Sequence, residues 1–359
     1  MKKIFVMLAV VAAFIGCNSN KCEVVGALDN FDGIGTICII DMWNGRSIID
    51  SVQLENNRFH FKNVKHAPTF AQVVMPSGRP ISYLFIEKGK VTVSGDYNLG
   101  TIKAGGTPSN DAFDAMMNRS VELMARYRAA VGEGNQAEVE VVEMEHEQMQ
   151  KECLEQNKDN VFGLFMLNQF SYSMPSTELL KELATFPAEL QAVPYAERMK
   201  ASAERKFKTE PQAEGSDYVP HYIDIVQPNL KGEEVSLKSV VENKNNRYVL
   251  LDFWASWCGP CMGEMPHLKE AYKLYHKKGF EIYGVSFDGS REAWKGAIEK
   301  QQMKWVNVST LEQFNNSAAE EYAVESIPTN YLIDCSNGVI IAKNLRGEAV
   351  LEKLAELLK

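Results

Sequence analysis

The tetrapeptide Cys258-Gly259-Pro260-Cys261 stands between two segments of different periodicity. Before it, Tyr248-Val249-Leu250-Leu251-Asp252-Phe253 is a nearly continuous apolar run, the pattern of a buried strand. After it, Cys258 to His276 reads as a helix that Lys277-Lys278-Gly279 ends. A strand feeding straight into a helix leaves Cys258 at the helix N-terminus. Unpaired backbone N–H groups and the helix dipole favour negative charge there, so the Cys258 thiolate is stabilised, and the thiolate is the nucleophile. Cys261 lies one turn deeper. Cys258 is therefore expected to attack a partner disulfide, and Cys261 to resolve the mixed disulfide. Pro260 has no N–H to leave unsatisfied and suits the first helical turn. Two inert readings stay open here, a structural disulfide and half of a zinc site. Zinc needs two more ligands; His267 is nine residues from Cys258 and there is no second Cys-x-x-Cys.

The segments that follow extend the pattern. Strands are expected at Phe280–Phe287 and Trp305–Val308, with a helix over Arg291–Gln301. Thr329–Ile333 and Val339–Lys343 predict a hairpin across Asn337-Gly338, and Glu348–Leu358 a closing helix. A strand–helix–strand start and a hairpin-plus-helix finish imply a mixed sheet with helices on both faces.

The run from Asp252 to Cys261 resembles the thioredoxin active-site segment almost residue for residue. The wider stretch, from about Val219 to the end, resembles the ResA/TlpA branch of envelope-anchored thioredoxin-like proteins. The resemblance implies an α/β, thioredoxin-like fold for residues 218–359, with no cofactor and no metal. Asp252 falls where the family keeps a buried carboxylate behind the second cysteine. There it would accept the Cys261 proton, with a pKa raised by desolvation. Glu264 falls where the branch has a glutamate that tunes the cysteine pair, and Pro266 where thioredoxins kink this helix. Ile327-Pro328-Thr329 resembles the cis-proline loop, whose Ile327 backbone would pair with an extended substrate segment. Trp257, Gly259, Pro260, Ile327 and Pro328 are thus the implied substrate-binding residues. Trp254 and Trp257 are read as packing and rim residues rather than catalysts.

Length, 359 residues, fits two or three domains. Hydrophobic and charged fractions of 45% and 24% exclude a disordered, collagen-like or polytopic membrane chain. A formal charge of −9 repels phosphate backbones and argues against a nucleic-acid partner. Seven cysteines are too few for a disulfide-dense scaffold.

Met1-Lys2-Lys3 followed by the apolar run Ile4–Ile15 has the form of a signal peptide, too short to span a bilayer of roughly 30 Å. Phe14-Ile15-Gly16-Cys17 resembles a bacterial lipobox, with Phe14 departing from the usual leucine. The reading is a signal peptide over 1–16, lipidation at Cys17 and an anchor segment over 17–22. Loss of Lys2 and Lys3 would take the charge from −9 to −11. Lipid would then be the only membrane anchor, on the periplasmic side of the envelope.

Residues 23–106 read as a small β-sandwich-like domain. Arg58-Phe59-His60-Phe61-Lys62 alternates, and Ile37–Ile40 and Phe70–Val74 add strands. Tyr83–Ile86 and Val91–Val93 flank Glu87-Lys88-Gly89-Lys90 and predict a hairpin. Ile49–Val52, Arg58–Lys62 and Leu84–Gly89 resemble the small N-terminal domain of lipoproteins of this kind. Residues 107–208 read as helical. Ser109-Asn110-Asp111 is expected to cap a helix with Phe113, Met116, Met117, Val121 and Met124 as core. Gly132–Asn135 breaks it, and the next face carries Val139, Val142, His146, Met149 and Cys153 as core or interface. Its glutamates read as a solvated face rather than a metal site. Residues 209–217 read as a linker. Cys38 is expected in the core, Cys335 exposed, and His60 and His66 outside any ligand set.

The function these features imply is an envelope lipid-anchored thiol-disulfide oxidoreductase. Gly259-Pro260 resembles reducing thioredoxins, so the substrates would be disulfide-containing envelope proteins and the electrons would come from a membrane thiol donor. Three alternatives stand beside it: a disulfide oxidase or isomerase, a thiol peroxidase, and a binding module with an ancillary thioredoxin domain. Ala255 occupies the place of the threonine that precedes a peroxidatic cysteine.

Overall fold

The computed structural model of the protein describes residues 21–31, 33–171, 174–211 and 218–359. The proposed signal peptide, Cys17 and most of the 209–217 linker lie outside the described residues. Two compact units are present. One holds the described residues up to 171 together with 182–197; the other holds 174–181 and 198–359.

The first unit opens with eight strands: β1 (Cys22–Asp29), β2 (Thr36–Asp41), β3 (Ile48–Gln53), β4 (Arg58–Val64), β5 (Thr69–Val74), β6 (Pro80–Ile86), β7 (Gly89–Asp96) and β8 (Lys103–Gly105). They form two four-stranded sheets, ordered β4-β1-β7-β8 and β3-β2-β5-β6. On β4, Phe59 and Phe61 are buried while Arg58, His60 and Lys62 are exposed, the alternation of a strand covered on one face. Residues of both sheets, among them Val24, Phe61, Ile39, Val73 and Leu84, share one core.

The expected hairpin across Glu87–Lys90 does not form. β6 pairs with β5 in one sheet, whereas β7 runs parallel to β1 in the other. The turn changes layers, and its Glu87 carboxylate accepts hydrogen bonds from the Ser109 N–H (2.8 Å) and hydroxyl (2.7 Å). This also corrects the helix start. α1 (Pro108–Glu133) begins after Thr107, and Ser109 and Asn110 are buried inside its first turn. The Asn110 amide accepts from the Phe85 N–H and donates to the Phe85 carbonyl, each at 2.9 Å, completing the edge of β6.

Gly134, at φ 67, closes α1, and Asn135 caps α2 (Gln136–Gln156). Met117, Val121 and Met124 are not core: they are exposed, and Leu123 and Ala130 are buried instead. His146 is exposed as well. The acidic face of α2 is partly paired, since Arg126 bridges Glu138 and Glu145 and Arg119 reaches Glu152. α3 (Val161–Phe170), capped by Asn160, carries Phe162 and Phe165 into a cluster with Phe70, Phe85 and Phe113. α4 (Ser176–Leu183), α5 (Ala188–Gln191) and α6 (Pro194–Thr209) follow.

In the second unit, β9 (Val226–Pro228), β10 (Glu234–Ser236) and α7 (Leu237–Val241) precede the main sheet. That sheet is β13-β12-β11-β14-β15, built from β11 (Tyr248–Trp254), β12 (Phe280–Ser286), β13 (Val306–Val308), β14 (Thr329–Asp334) and β15 (Val339–Lys343). β11 is central, parallel to β12 and antiparallel to β14, so the sheet is mixed as expected. The helices are α8 (Gly259–Tyr275), α9 (Arg291–Gln301), α10 (Ser317–Glu321) and α11 (Glu348–Leu357).

Two free cysteines depart from expectation. Cys38 is half-buried rather than core. Cys335 is not exposed; it packs against the core of its unit, and burial pushes its thiol up to about 12. Cys22, which carried no expected role, is buried in the sandwich core, with its thiol pushed up to about 11, chiefly by burial.

Candidate active site

Every residue of β11 from Val249 onward is buried, and the chain leaves the sheet at Ala255. The next residues are tied to the end of β12. The Ser256 N–H and hydroxyl donate to the buried Asp288 carboxylate, which also accepts from the Ser286 hydroxyl at 2.7 Å. The Trp257 indole N–H donates to the Phe287 carbonyl at 3.3 Å. These bonds fix the point at which α8 begins, with Cys258 as its N-cap.

Cys258 and Cys261 are joined as a disulfide, S–S 2.05 Å, with Cα atoms 5.2 Å apart. The Cys261 N–H points at Cys258 Sγ from 3.1 Å, one of the unpaired donors that a helix start offers to a developing thiolate. Cys258 is 5% exposed and Cys261 1%, so the first sulfur is the accessible one. A Cβ added at Gly259 would meet open space, which leaves that side of the pair clear. Pro266 lies within α8, where it was expected.

The Ile327–Pro328 peptide bond is cis, and the Ile327 carbonyl oxygen lies 3.7 Å from Cys258 Sγ. Trp257 is 55% exposed beside the pair; Trp254, by contrast, is fully buried. Phe314 stands next to Trp257, ring centroids 6.4 Å apart, and is itself 41% exposed.

Asp252 is fully buried, and desolvation pushes its carboxyl up from 3.8 to about 7. The positive charge of Arg346 opposes that shift, and the negative charge of Glu264 adds to it. Glu264, half-buried on α8, accepts the Gly347 N–H at 2.7 Å. Gly347 adopts φ 53 and ψ −128, a conformation that a side chain would disfavour.

The second unit therefore brings together Cys258, Cys261, Asp252, Glu264, Trp257, Gly259, Pro260, Ile327 and Pro328; Cys17 lies outside the described residues. Asp288, Phe314 and Arg346 were not found from the sequence. A lone aspartate just past a strand, an aromatic in a short 3-10 turn and an arginine before a helix carry no periodic signal. Among the described residues, no group of His, Cys, Asp and Glu is arranged to hold a metal ion.

Residues 220–343 match the AhpC/TSA family, and residues 23–113 match a domain of unknown function (DUF4369). The thiol-disulfide oxidoreductase ResA of Bacillus thuringiensis subsp. konkukian is 32% identical over 136 residues, covering 38% of this chain and 73% of that protein. The ResA of Bacillus cereus strain ATCC 10987 is 31% identical over 153 residues, covering 43% and 82%. A solved thiol-disulfide oxidoreductase from Bacteroides fragilis is 40% identical, covering 38% of this chain and 99% of that one, with a TM-score of 0.36. With an identity above 30% across more than two thirds of a ResA protein, this chain belongs to the ResA family of thiol-disulfide oxidoreductases and is an oxidoreductase enzyme.

Proposed function

We propose that the protein reduces disulfides of extracytoplasmic proteins by dithiol exchange at Cys258 and Cys261, held to the bacterial envelope by lipid on Cys17. The observation that carries the reading is the disulfide itself. It caps α8, its more accessible sulfur faces the Ile327 carbonyl, and a buried carboxylate that titrates near neutrality lies on the strand leading to it.

In the reduced enzyme, the Cys258 thiolate attacks one sulfur of a substrate disulfide. A new S–S bond forms, the substrate S–S bond breaks, and the departing substrate thiolate takes a proton from solvent. Cys261 then gives its proton to the Asp252 carboxylate and attacks Cys258 Sγ. The mixed disulfide breaks, the second substrate thiolate leaves, and the enzyme ends as the Cys258–Cys261 disulfide. The substrate has gained two electrons, which a membrane thiol donor must restore. Trp257, Gly259, Pro260, Ile327 and Pro328 present the surface on which an extended substrate segment would lie. Glu264 would tune the pair through the loop it holds at Gly347.

Equilibration of the full chain against dithiol buffers tests the direction. A potential near or below about −250 mV supports a reductase, whereas one above roughly −180 mV places the enzyme with oxidants and isomerases. Partition into detergent that is lost in Cys17→Ser supports the anchor; partition unchanged in that variant removes it.

A further inference from the structure

We propose that Arg346 is a positioning residue for thiol–disulfide exchange, its guanidinium coupling the cis-proline loop that would receive substrate to the carboxylates of Asp252 and Glu264. The proposal rests on the reading of Asp252 as acceptor of the Cys261 proton. Arg346 lies in the loop between β15 and α11, half-buried. It donates to the Pro328 carbonyl and, at 3.0 Å, to the Leu345 carbonyl. Its charge and those of Asp252 and Glu264 act on one another. Yet it forms no direct ion pair among the described residues. A partly desolvated cation is costly without a close counter-charge. Three neutral acceptors hold it instead, these two carbonyls and Asn344 Oδ1 at 3.4 Å, and the two carboxylates reach it as charges rather than as hydrogen-bond partners.

The loop is also held by bonds in which the Arg346 side chain takes no part. The Asn344 N–H donates to the Asn330 carbonyl at 2.8 Å, and the Asn330 amide exchanges two 2.9 Å bonds with the Leu345 backbone. Gly347 is held by Glu264. Asn330 is the residue that pairs with Asp252 across β11 and β14, and it lies two residues after Pro328. Arg346 thus stands between Leu345, bonded to the residue that pairs with Asp252, and Gly347, bonded to Glu264, while its guanidinium reaches the proline loop at Pro328. Glu264 from α8 and Arg346 from this loop are the charged groups that act on Asp252. Their effects oppose each other. Arg346 makes the proton of Asp252 easier to lose, which leaves a carboxylate free to take the proton of Cys261 near neutral pH.

The test uses the full chain with a labelled thiol held on Cys258 as a mixed disulfide, and follows release of that thiol against pH. The release rate should rise with a midpoint near the Asp252 value. In Arg346→Gln, which keeps hydrogen-bond donors but no charge, the midpoint should move up by roughly one pH unit. Arg346→Lys, which keeps the charge, should restore it. Asp252→Asn should abolish this midpoint and leave only the rise at higher pH that the thiol itself gives. If Asp252→Asn abolishes it but Arg346→Gln leaves it in place, this proposal fails and the reading of Asp252 stands. An equal shift in Arg346→Lys and Arg346→Gln also overturns the role of charge. A midpoint that stays at the parent's pH in Asp252→Asn overturns the reading of Asp252 and this proposal with it. Should Arg346→Gln fail to fold, Arg346→Met is measured in its place, with the same shift expected and an unchanged midpoint fatal.

Discussion

The Ile327 carbonyl oxygen lies 3.7 Å from Cys258 Sγ, so the residue before cis-Pro328 overhangs the more accessible of the two cysteines. A peptide that reaches Cys258 must pass that backbone, and an extended segment can pair with it as a strand pairs with an edge. The asymmetry between the sulfurs then sets the order of events. Cys258→Ser should reduce exchange to the uncatalysed background. Cys261→Ser should instead accumulate mixed disulfides on Cys258, visible as higher-mass bands on non-reducing gels. Accumulation in Cys258→Ser and not in Cys261→Ser would reverse the assignment.

The buried acid makes stability depend on pH. Asp252 holds its proton up to about pH 7 in the native state, against 3.8 ordinarily. Between those values the native state binds more protons than the unfolded chain, so this contribution is full below pH 3.8 and is lost as pH rises through 7. About three pKa units correspond to at most about 4 kcal/mol. Asp252→Asn removes the cost of ionising the buried group. The variant should therefore exceed the parent in stability at pH 8 by up to about 4 kcal/mol, with the gain shrinking toward pH 4, while exchange slows. Urea unfolding at pH 4, 6 and 8 measures this. A difference that does not vary with pH would show that Asp252 ionises freely.

Much of the second unit was legible because its local signals agree. An apolar run, a Cys-x-x-Cys and a lysine-glycine stop each point to the same strand-to-helix turn, and the observed β11 and α8 follow them within a residue. Asp252 stood out because an ionised carboxylate in an apolar strand is costly. Asp288, Phe314 and Arg346 were illegible for the opposite reason: they reach the site from outside the strands and α-helices, through contacts made only on folding. The Glu87–Lys90 turn shows the same limit. Its residues suit a hairpin as well as a change of layer, and the partner that accompanies the second is Ser109, 22 residues away. Met117, Val121 and Met124 share a helical face, but periodicity cannot say whether anything covers it.

The exposed aromatic pair at the rim should matter for protein substrates more than for small ones. Trp257 and Phe314 both present ring surface to solvent, 6.4 Å apart. Aromatic side chains in that setting act as anchors for a partner. Trp257→Ala and Phe314→Ala should each raise KM for a disulfide-bonded protein about tenfold, near 1.4 kcal/mol of contact, with kcat little changed. Reduction of a small aromatic disulfide should change by less than about twofold. Equal losses on both substrates would mean that the rings hold the active-site turn rather than the substrate.

Asn110 should be a stability determinant of the first unit. Its amide, fully buried, satisfies both the N–H and the carbonyl of Phe85, and also donates to the Thr107 hydroxyl at 2.8 Å. Phe85 itself packs edge-on against Phe113 and Phe162. Asn110→Ala leaves two buried backbone groups without partners, at a cost of about 1–3 kcal/mol each. No hydrophobic gain offsets this, because alanine is too small to fill the place of the amide. The loss should concentrate at β6, whose edge the amide completes. Hydrogen exchange followed by mass spectrometry reads that directly. Peptides covering Pro80–Ile86 should exchange faster by about tenfold or more in the variant, the local equivalent of at least about 1.4 kcal/mol. Unchanged protection across β6, with the same unfolding midpoint, would mean that water replaces the amide and that the Phe85 backbone is not sealed by Asn110.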